Sequence, residues 1–183
     1  MSQNVSALIN PVPPAGSEEK VEALCQPIKQ MLGIVPSVIK LFGISPFLLE
    51  ERVNNIGYFM QHPTLSSPLL AMIRLLISKA NKCTYCITLN EGMLIEAGFD
   101  IEVLRAAQED PTQAPLDEKN KSLLLLVLKA VNKSHEVNEA DMQAVRDLGW
   151  TDSDIFDAVN HGATMVAINL VLDTFKVNQE GVL

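Results

Sequence analysis

Aromatic side chains are scarce in this sequence: Phe, Trp and Tyr together make up 5% of its 183 residues. Strands favour aromatic and β-branched residues, so a sheet core is disfavoured; a core of Leu, Ile, Val, Ala and Met suits helices packed on helices. Positive charge is also short, with 14 Lys and Arg against 22 Asp and Glu and a net charge of −8. Nucleic acid and anionic membrane surfaces both need clustered Lys and Arg, so neither is expected as a partner. The apolar stretch from Ser122 to Val131 is interrupted by Lys129, and it falls well short of the roughly 20 residues that span a bilayer. Met1 to Asn10 carry no basic run and no long apolar core, so no secretory leader is expected. There are three cysteines, an odd count. A small secreted protein would be expected to carry an even framework, so a cytoplasmic location is expected. No glycine loop of the G-x-G-x-x-G kind is present, so no nucleotide cofactor is expected, nor any other.

What the sequence does contain is helical punctuation. Residues 1–17, with Pro11, Pro13, Pro14 and Gly16, read as an extended arm, and residues 18–183 as one helical domain. Ser17 followed by Glu18 and Glu19 predicts a capped helix to about Gly33, bent or delayed by Pro27. Pro36 and Pro46 restart the chain, the second opening a helix to about Gln61. Ser66 caps the next helix, whose Leu69, Met72, Ile73, Leu76 and Ile77 fall at helical spacing, and Asn81 and Lys82 end it. A helix from Cys83 stops at Gly98, and a short one capped by Asp100 runs to about Gln108. Residues 109–115 read as a loop. Helices over 117–132, from the Asn138 cap to Gly149, and from Thr151 to about Val177 complete an all-α fold of two helical halves around one core. The last helix is apolar on more than one face, the mark of a core or subunit-interface element.

The chemical signal is Cys83-Thr84-Tyr85-Cys86. Two sulfurs one helical turn apart can join in a disulfide, and the positive end of the helix favours the thiolate that attacks a peroxide or a disulfide. Two blander readings stand beside this one. A zinc site wants four ligands, usually in repeated short spacings, and Cys25, His62, His135 and His161 do not repeat the spacing of the pair. The cysteines could also serve simply as small buried apolar residues.

The run Ser78-Lys79-Ala80-Asn81-Lys82-Cys83-Thr84-Tyr85-Cys86-Ile87 resembles the signature of the alkylhydroperoxidase D and carboxymuconolactone decarboxylase superfamily. The segment Gly33 to Leu49, the run Asp117-Glu118-Lys119, the segment Val137 to Gly149 and the closing helix are similar to its peroxidase-related branch, so the resemblance covers roughly residues 28–178. It implies an all-α fold, assembly as a homo-oligomer (trimer or hexamer), and a dithiol that reduces hydroperoxides or exchanges electrons with a partner protein's dithiol or disulfide. The family motif also carries a glutamate twelve residues before the first cysteine and a histidine four residues after the second. Those positions hold Ala71 and Asn90 here. A histidine at position 90 would share a helix face with Cys86 and could relay its proton; asparagine is no base near neutral pH, and alanine offers no polar group.

An ordinary thiol, with a pKa of about 8.5, is roughly 3% ionised at pH 7, and half ionisation needs about 2 kcal/mol. A helix N-terminus, with Lys82 beside Cys83, supplies part of that. The leaving alkoxide is harder, since losing a general acid lowers rates by about 10²–10⁴. Candidate substitutes are Tyr85 within the motif, Glu91 and His161, with Asn90 as an auxiliary that could orient a water or donate a hydrogen bond. Glu91 points away from its neighbour's face by helical geometry. Ser78 and Asn81 read as helix-end caps, and Arg74 as a surface charge or an attractor of anions. The expected function is a thiol-dependent redox activity of peroxidase type through Cys83 and Cys86, weak or altered. The alternatives are a redox-inert scaffold of the same fold and a lactone decarboxylase, which has no histidine or basic cluster to support it.

Overall fold

The computed structural model describes residues 8–177, which form nine α-helices, two short 3-10 turns and no strand. In chain order the helices are α1 (Glu18–Leu32), α2 (Ser37–Phe42), α3 (Pro46–Met60), α4 (Ser67–Ala80), α5 (Thr84–Glu96), α6 (Ile101–Glu109), α7 (Glu118–Lys133), α8 (Glu139–Asp147) and α9 (Asp152–Phe175). The described residues fall into two compact units, one of residues 8–62 with 172–177 and one of residues 63–171.

In the first unit Val21, Ile28, Ile39 and Leu49 form a core, with Leu24, Cys25, Phe42 and Val53 packed against it. α1 runs unbroken through Pro27 and ends where Gly33 turns left-handed at φ +73°. Ser17 precedes it, but its side chain makes no cap; the hydroxyl donates instead to the Pro14 carbonyl. Residues 8–16 contain no helix, and the Leu8 amide donates to the Phe175 carbonyl at 2.8 Å.

The second unit is built on α4. Leu69, Met72, Ile73, Leu75 and Ile77 are fully buried there, and Leu94 of α5, Leu104 of α6 and Leu123, Leu124 and Val127 of α7 complete the apolar interior. Its helix starts follow from local chemistry. The Ser66 hydroxyl accepts from the Leu69 amide, Asp100 from Glu102, and Asn138 and Asp141 make a reciprocal capping box. Thr151 and Asp154 exchange bonds at the start of α9, and the Thr64 hydroxyl donates to the same carboxylate. The loop expected over residues 109–115 contains a 3-10 turn, Pro111–Gln113, because the Asp110 carboxylate accepts from the Thr112 amide.

α9 is the one described helix long and apolar enough, by length and composition, to cross a bilayer. Ala, Gly, Thr and Asn are interspersed among its Ile, Val and Leu. Asp154, His161 and Asn169 are buried on it, each bonded to a partner in the second unit. A polar stripe so engaged is the pattern of a helix packed in a protein interior.

Asp117 caps α7. The Asn120 backbone amide, and then the Asn120 side chain, hold its carboxyl below the ordinary value. A depressed folded-state pKa contributes stability that is present above the unfolded value of about 3.9 and is lost as pH falls through the folded value. Asp117→Asn keeps an oxygen acceptor at the cap without a titrating group. Its urea midpoint should match the wild type at about pH 7 and fall less than the wild type's at about pH 3.

Candidate dithiol site

The dithiol sits where α4 hands over to α5. Asn81 is the C-cap of α4, and Lys82 follows at φ +59°. The Lys82 amide donates to the Lys79 carbonyl at 3.1 Å and the Cys83 amide to the Ser78 carbonyl at 3.0 Å. That pair of bonds is a Schellman ending, whose left-handed position is usually glycine. Here it is lysine, which sets a cationic side chain next in sequence to Cys83. Cys83 is then the N-cap of α5, its carbonyl accepting from the Ile87 amide at 3.0 Å, and Cys86 falls in the first turn. Both sulfurs thus belong to the helix end where backbone N–H groups and the macrodipole favour an anion. Both residues are thiols rather than a disulfide, with Cys83 0% and Cys86 2% exposed.

Asn90 lies one turn after Cys86 and is buried. Its Nδ2 donates to the Cys86 carbonyl at 2.8 Å, and its Oδ1 accepts from Arg74 Nε at 2.7 Å. The same guanidinium reaches His161 Nε2 at 3.2 Å and Met93 sulfur at 3.7 Å. Cys86, Asn90 and Met93 share one face of α5, and Arg74 of α4 lies along it, joined to His161 of α9. Gly162 lets α9 come this close: a Cβ there would lie 2.6 Å from Val127 Cγ1 and 3.1 Å from Ile77 Cδ1. A second buried network secures the α4 end. Ser78 Oγ donates to the Arg74 carbonyl at 2.7 Å and accepts from Asn169 Nδ2 at 3.2 Å, while Asn81 Nδ2 donates to Asn169 Oδ1 at 3.0 Å.

Of the expected site residues, Asn90 and His161 join Arg74 in one network that ends on the Cys86 backbone carbonyl, and Cys83 lies at the start of the same helix as Cys86 and Asn90. Tyr85 is half-buried within the motif. Glu91 turns to α6, accepting from Gln108 Nε2 at 2.7 Å. Two expectations are corrected. Arg74 is not a surface charge but the half-buried centre of the network, and Ser78 is no cap but a wholly buried hydroxyl bonded back into its own helix. Ala71, at the expected glutamate position, is buried. Arg74 and Asn169 were missed as site residues. The available signal for Arg74 was an arginine inside the otherwise apolar run Leu69 to Ile77, where a charge calls for partners. Cys25 lies in the other unit, and burial pushes its thiol up, which leaves it a poor nucleophile. Among the described residues no three His, Cys, Asp or Glu side chains converge to hold a metal ion.

No family model and no curated protein matches the chain in sequence. Solved structures match it in fold. A peroxidase-related protein from Silicibacter sp. TM1040 superposes with a TM-score of 0.85 at 22% identity, covering 99% of this chain and 96% of that one. An alkylhydroperoxidase AhpD core protein, also peroxidase-related, from Ralstonia eutropha JMP134 gives 0.83 at 22% identity, covering 95% and 92%. The debrominase Bmp8, in complex with 2,3,4-tribromopyrrole, gives 0.77 at 15% identity, covering 97% and 94%. The chain therefore has the all-α, alkylhydroperoxidase D-like fold.

Proposed function

We propose that this chain is a thiol-dependent oxidoreductase in which Cys83 and Cys86 cycle between dithiol and disulfide at the expense of a peroxide. The observation that supports the reading is that both cysteines lie at the N-terminal end of α5, where the helix dipole favours a thiolate. In the reaction the Cys86 thiolate attacks the terminal peroxide oxygen. An S–O bond forms, the O–O bond breaks, and the electron pair leaves on the remaining oxygen. The Cys83 thiol then displaces water from the sulfenic acid to close the disulfide. A partner dithiol returns two electrons and two protons to complete the cycle.

The test is stopped-flow oxidation of the reduced chain by a peroxide, following thiol loss and disulfide formation. Wild type should lose two thiols for each disulfide formed. Cys83→Ser should stop at a sulfenic acid, and Cys86→Ser should react no faster than an ordinary thiol. Oxidation at the ordinary rate in all three would favour the scaffold reading, in which the buried sulfurs only fill space.

The reading includes a homo-oligomer. It is supported by α9, where the exposed residues Phe156, Asn160, Ala163, Ala167 and Leu170 recur at alternating four- and three-residue steps, with Phe156 71% and Leu170 63% exposed. Such a stripe is the seam of a helix that packs against another. Phe156→Asp with Leu170→Asp should lower the mass measured by light scattering to that of one chain; an unchanged mass would refute the seam.

A further inference from the structure

The corner that carries the dithiol is held from outside as well as from within. Lys82 stands at φ +59°, in the left-handed position that glycine adopts without strain and a lysine does not. Backbone in such a conformation persists where the surrounding structure over-determines it. The Lys82 and Cys83 amides, bonded to the Lys79 and Ser78 carbonyls, supply one part of that hold. The other part comes from α9. Asn169 is wholly buried, and its amide uses both ends: Oδ1 accepts from Asn81 Nδ2 at 3.0 Å and Nδ2 donates to Ser78 Oγ at 3.2 Å. Ser78 Oγ in turn donates to the Arg74 carbonyl at 2.7 Å.

These two contacts bracket the turn. Asn81 is the residue before Lys82, and Ser78 is the residue whose carbonyl accepts from the Cys83 amide. An apolar side chain at position 169 would fill the space with no polar group to desolvate. The amide adds direction instead, because it fixes two positions of α4 to one of α9. Beyond the turn lies the dithiol, with Cys83 the N-cap of α5 and Cys86 its third residue. A disulfide accepts only a narrow range of Cα separations and Cβ directions, so the place of Cys83 matters to it. A pair of cysteines free to wander loses more conformational freedom on closing than a pair already held. The disulfide of the held pair is therefore the more stable.

We infer that Asn169 is a positioning residue for the dithiol: by clamping Ser78 and Asn81 across the left-handed Lys82, it holds Cys83 at the start of α5, one turn from Cys86, and so stabilises their disulfide against reduction. The inference rests on the thiol-redox reading above and adds a residue of α9 that sets the potential of that same pair. The equilibrium concerned is exchange with glutathione disulfide. One protein thiolate attacks it, a mixed disulfide forms, and the second protein thiolate displaces the remaining glutathione. The protein sulfurs give up two electrons and two protons, the glutathione S–S bond breaks, and the products are the Cys83–Cys86 disulfide and two glutathione thiols.

The experiment equilibrates the full-length chain in buffers of graded glutathione and glutathione disulfide, alkylates the remaining thiols, and reads the redox state from the mass of the peptide that carries Cys83 and Cys86. Releasing the backbone of one residue is worth about five- to thirtyfold in an equilibrium constant. Asn169→Ala should therefore shift the equilibrium toward the dithiol by about tenfold, or about 30 mV for two electrons. Lys82→Gly relieves the left-handed strain, so in that background the same Asn169→Ala change should shift it by no more than about threefold. Asn138→Ala removes a helix cap elsewhere in the same unit and should leave the equilibrium where it is, since a loss of stability shared by both redox forms cancels. Asn81→Ala cuts the clamp from its half-buried end and carries the comparison if Asn169→Ala does not fold. A folded Asn169→Ala protein with the wild-type equilibrium, or one shifted toward the disulfide, would overturn the part given to Asn169 while leaving the redox reading standing. So would an equal shift in Asn138→Ala. A shift as large with Lys82→Gly as without it would overturn the clamp across the turn. A wild-type chain that forms no Cys83–Cys86 disulfide at any glutathione ratio would overturn the redox reading, and this inference with it.

Discussion

The double variant Ala71→Glu with Asn90→His should reduce tert-butyl hydroperoxide at least about 10²-fold faster than wild type. That factor is the lower end of what a positioned general acid contributes. The two positions are those where the resembling family carries its glutamate and histidine. Position 90 lies one turn after Cys86 on the same face of α5, and position 71 one turn before Arg74 on α4. A carboxylate at 71 would also give the Arg74 guanidinium an acceptor to replace the Asn90 oxygen it now holds at 2.7 Å. For that reason Asn90→His alone should do less. It takes away Arg74's acceptor and the bond to the Cys86 carbonyl, and a buried group left unsatisfied costs about 1–3 kcal/mol. Single-turnover rates with the two single variants and the double variant, each checked by thermal melting, decide the matter. A double variant no faster than wild type would mean that Cys86 and position 90 do not act on a common substrate.

The largest effect on stability is expected at Gly162. A methyl group there meets Val127 Cγ1 at 2.6 Å, with Ile77 Cδ1 at 3.1 Å and Val131 Cγ1 at 3.3 Å behind it. Val127 is stiff at χ1 and itself fully buried, so it cannot swing clear. In an open helix Gly→Ala would gain about 1 kcal/mol of propensity. Overpacking costs about 1–3 kcal/mol, so Gly162→Ala should come out destabilised in spite of the better helix former. Gly162→Leu should fall further and lose cooperative folding in urea. Because the same contact sets how near α9 comes to α4, Gly162→Ala should also loosen the Arg74–His161 bond, seen as a changed His161 ring resonance in NMR. A Gly162→Ala protein as stable as wild type would show that the α4–α7–α9 packing has room the geometry does not suggest.

Much of this architecture was legible because it is written locally. Ser66 with Pro68, Asp100, Asn138 and the glycines at 33, 98 and 149 each mark a helix end through their own backbone chemistry, and the helices begin and end beside them. Cys83 as a helix start is of the same kind. Ser17 shows the limit of such signs: the residue type was right for a cap, but its hydroxyl was drawn back to Pro14. The site was legible in its sulfurs and not in its surroundings. Nothing within a few residues of Arg74 tells that its partners are 16 and 87 positions further on. His161 and Asn169 were equally silent, since two turns of α9 and the packing at Gly162 decide whether they meet α4. The positions of Ala71 and Asn90 were visible by spacing, but the network that Asn90 joins depends on a third helix, α9.

Cys83 and Cys86 lie below the surface of the chain, at 0% and 2% exposure. A bulky reagent reaches such a sulfur only in conformations where the surrounding structure has opened, so its observed rate is the intrinsic rate multiplied by the open fraction. An opening free energy of about 3 kcal/mol would slow it by roughly 10². Peroxides are small, and thiol-bearing peptides and proteins are not, so depth discriminates by size before chemistry begins. Oxidation would then follow the supply of small oxidant, while re-reduction would wait on fluctuations of the turn around Lys82. Weakening that turn, for example with Asn169→Ala, should speed recycling by a large dithiol more than it speeds attack by a peroxide. The lifetime of the disulfide would thus be written in the stability of the α4–α5 corner and not in the sulfurs themselves.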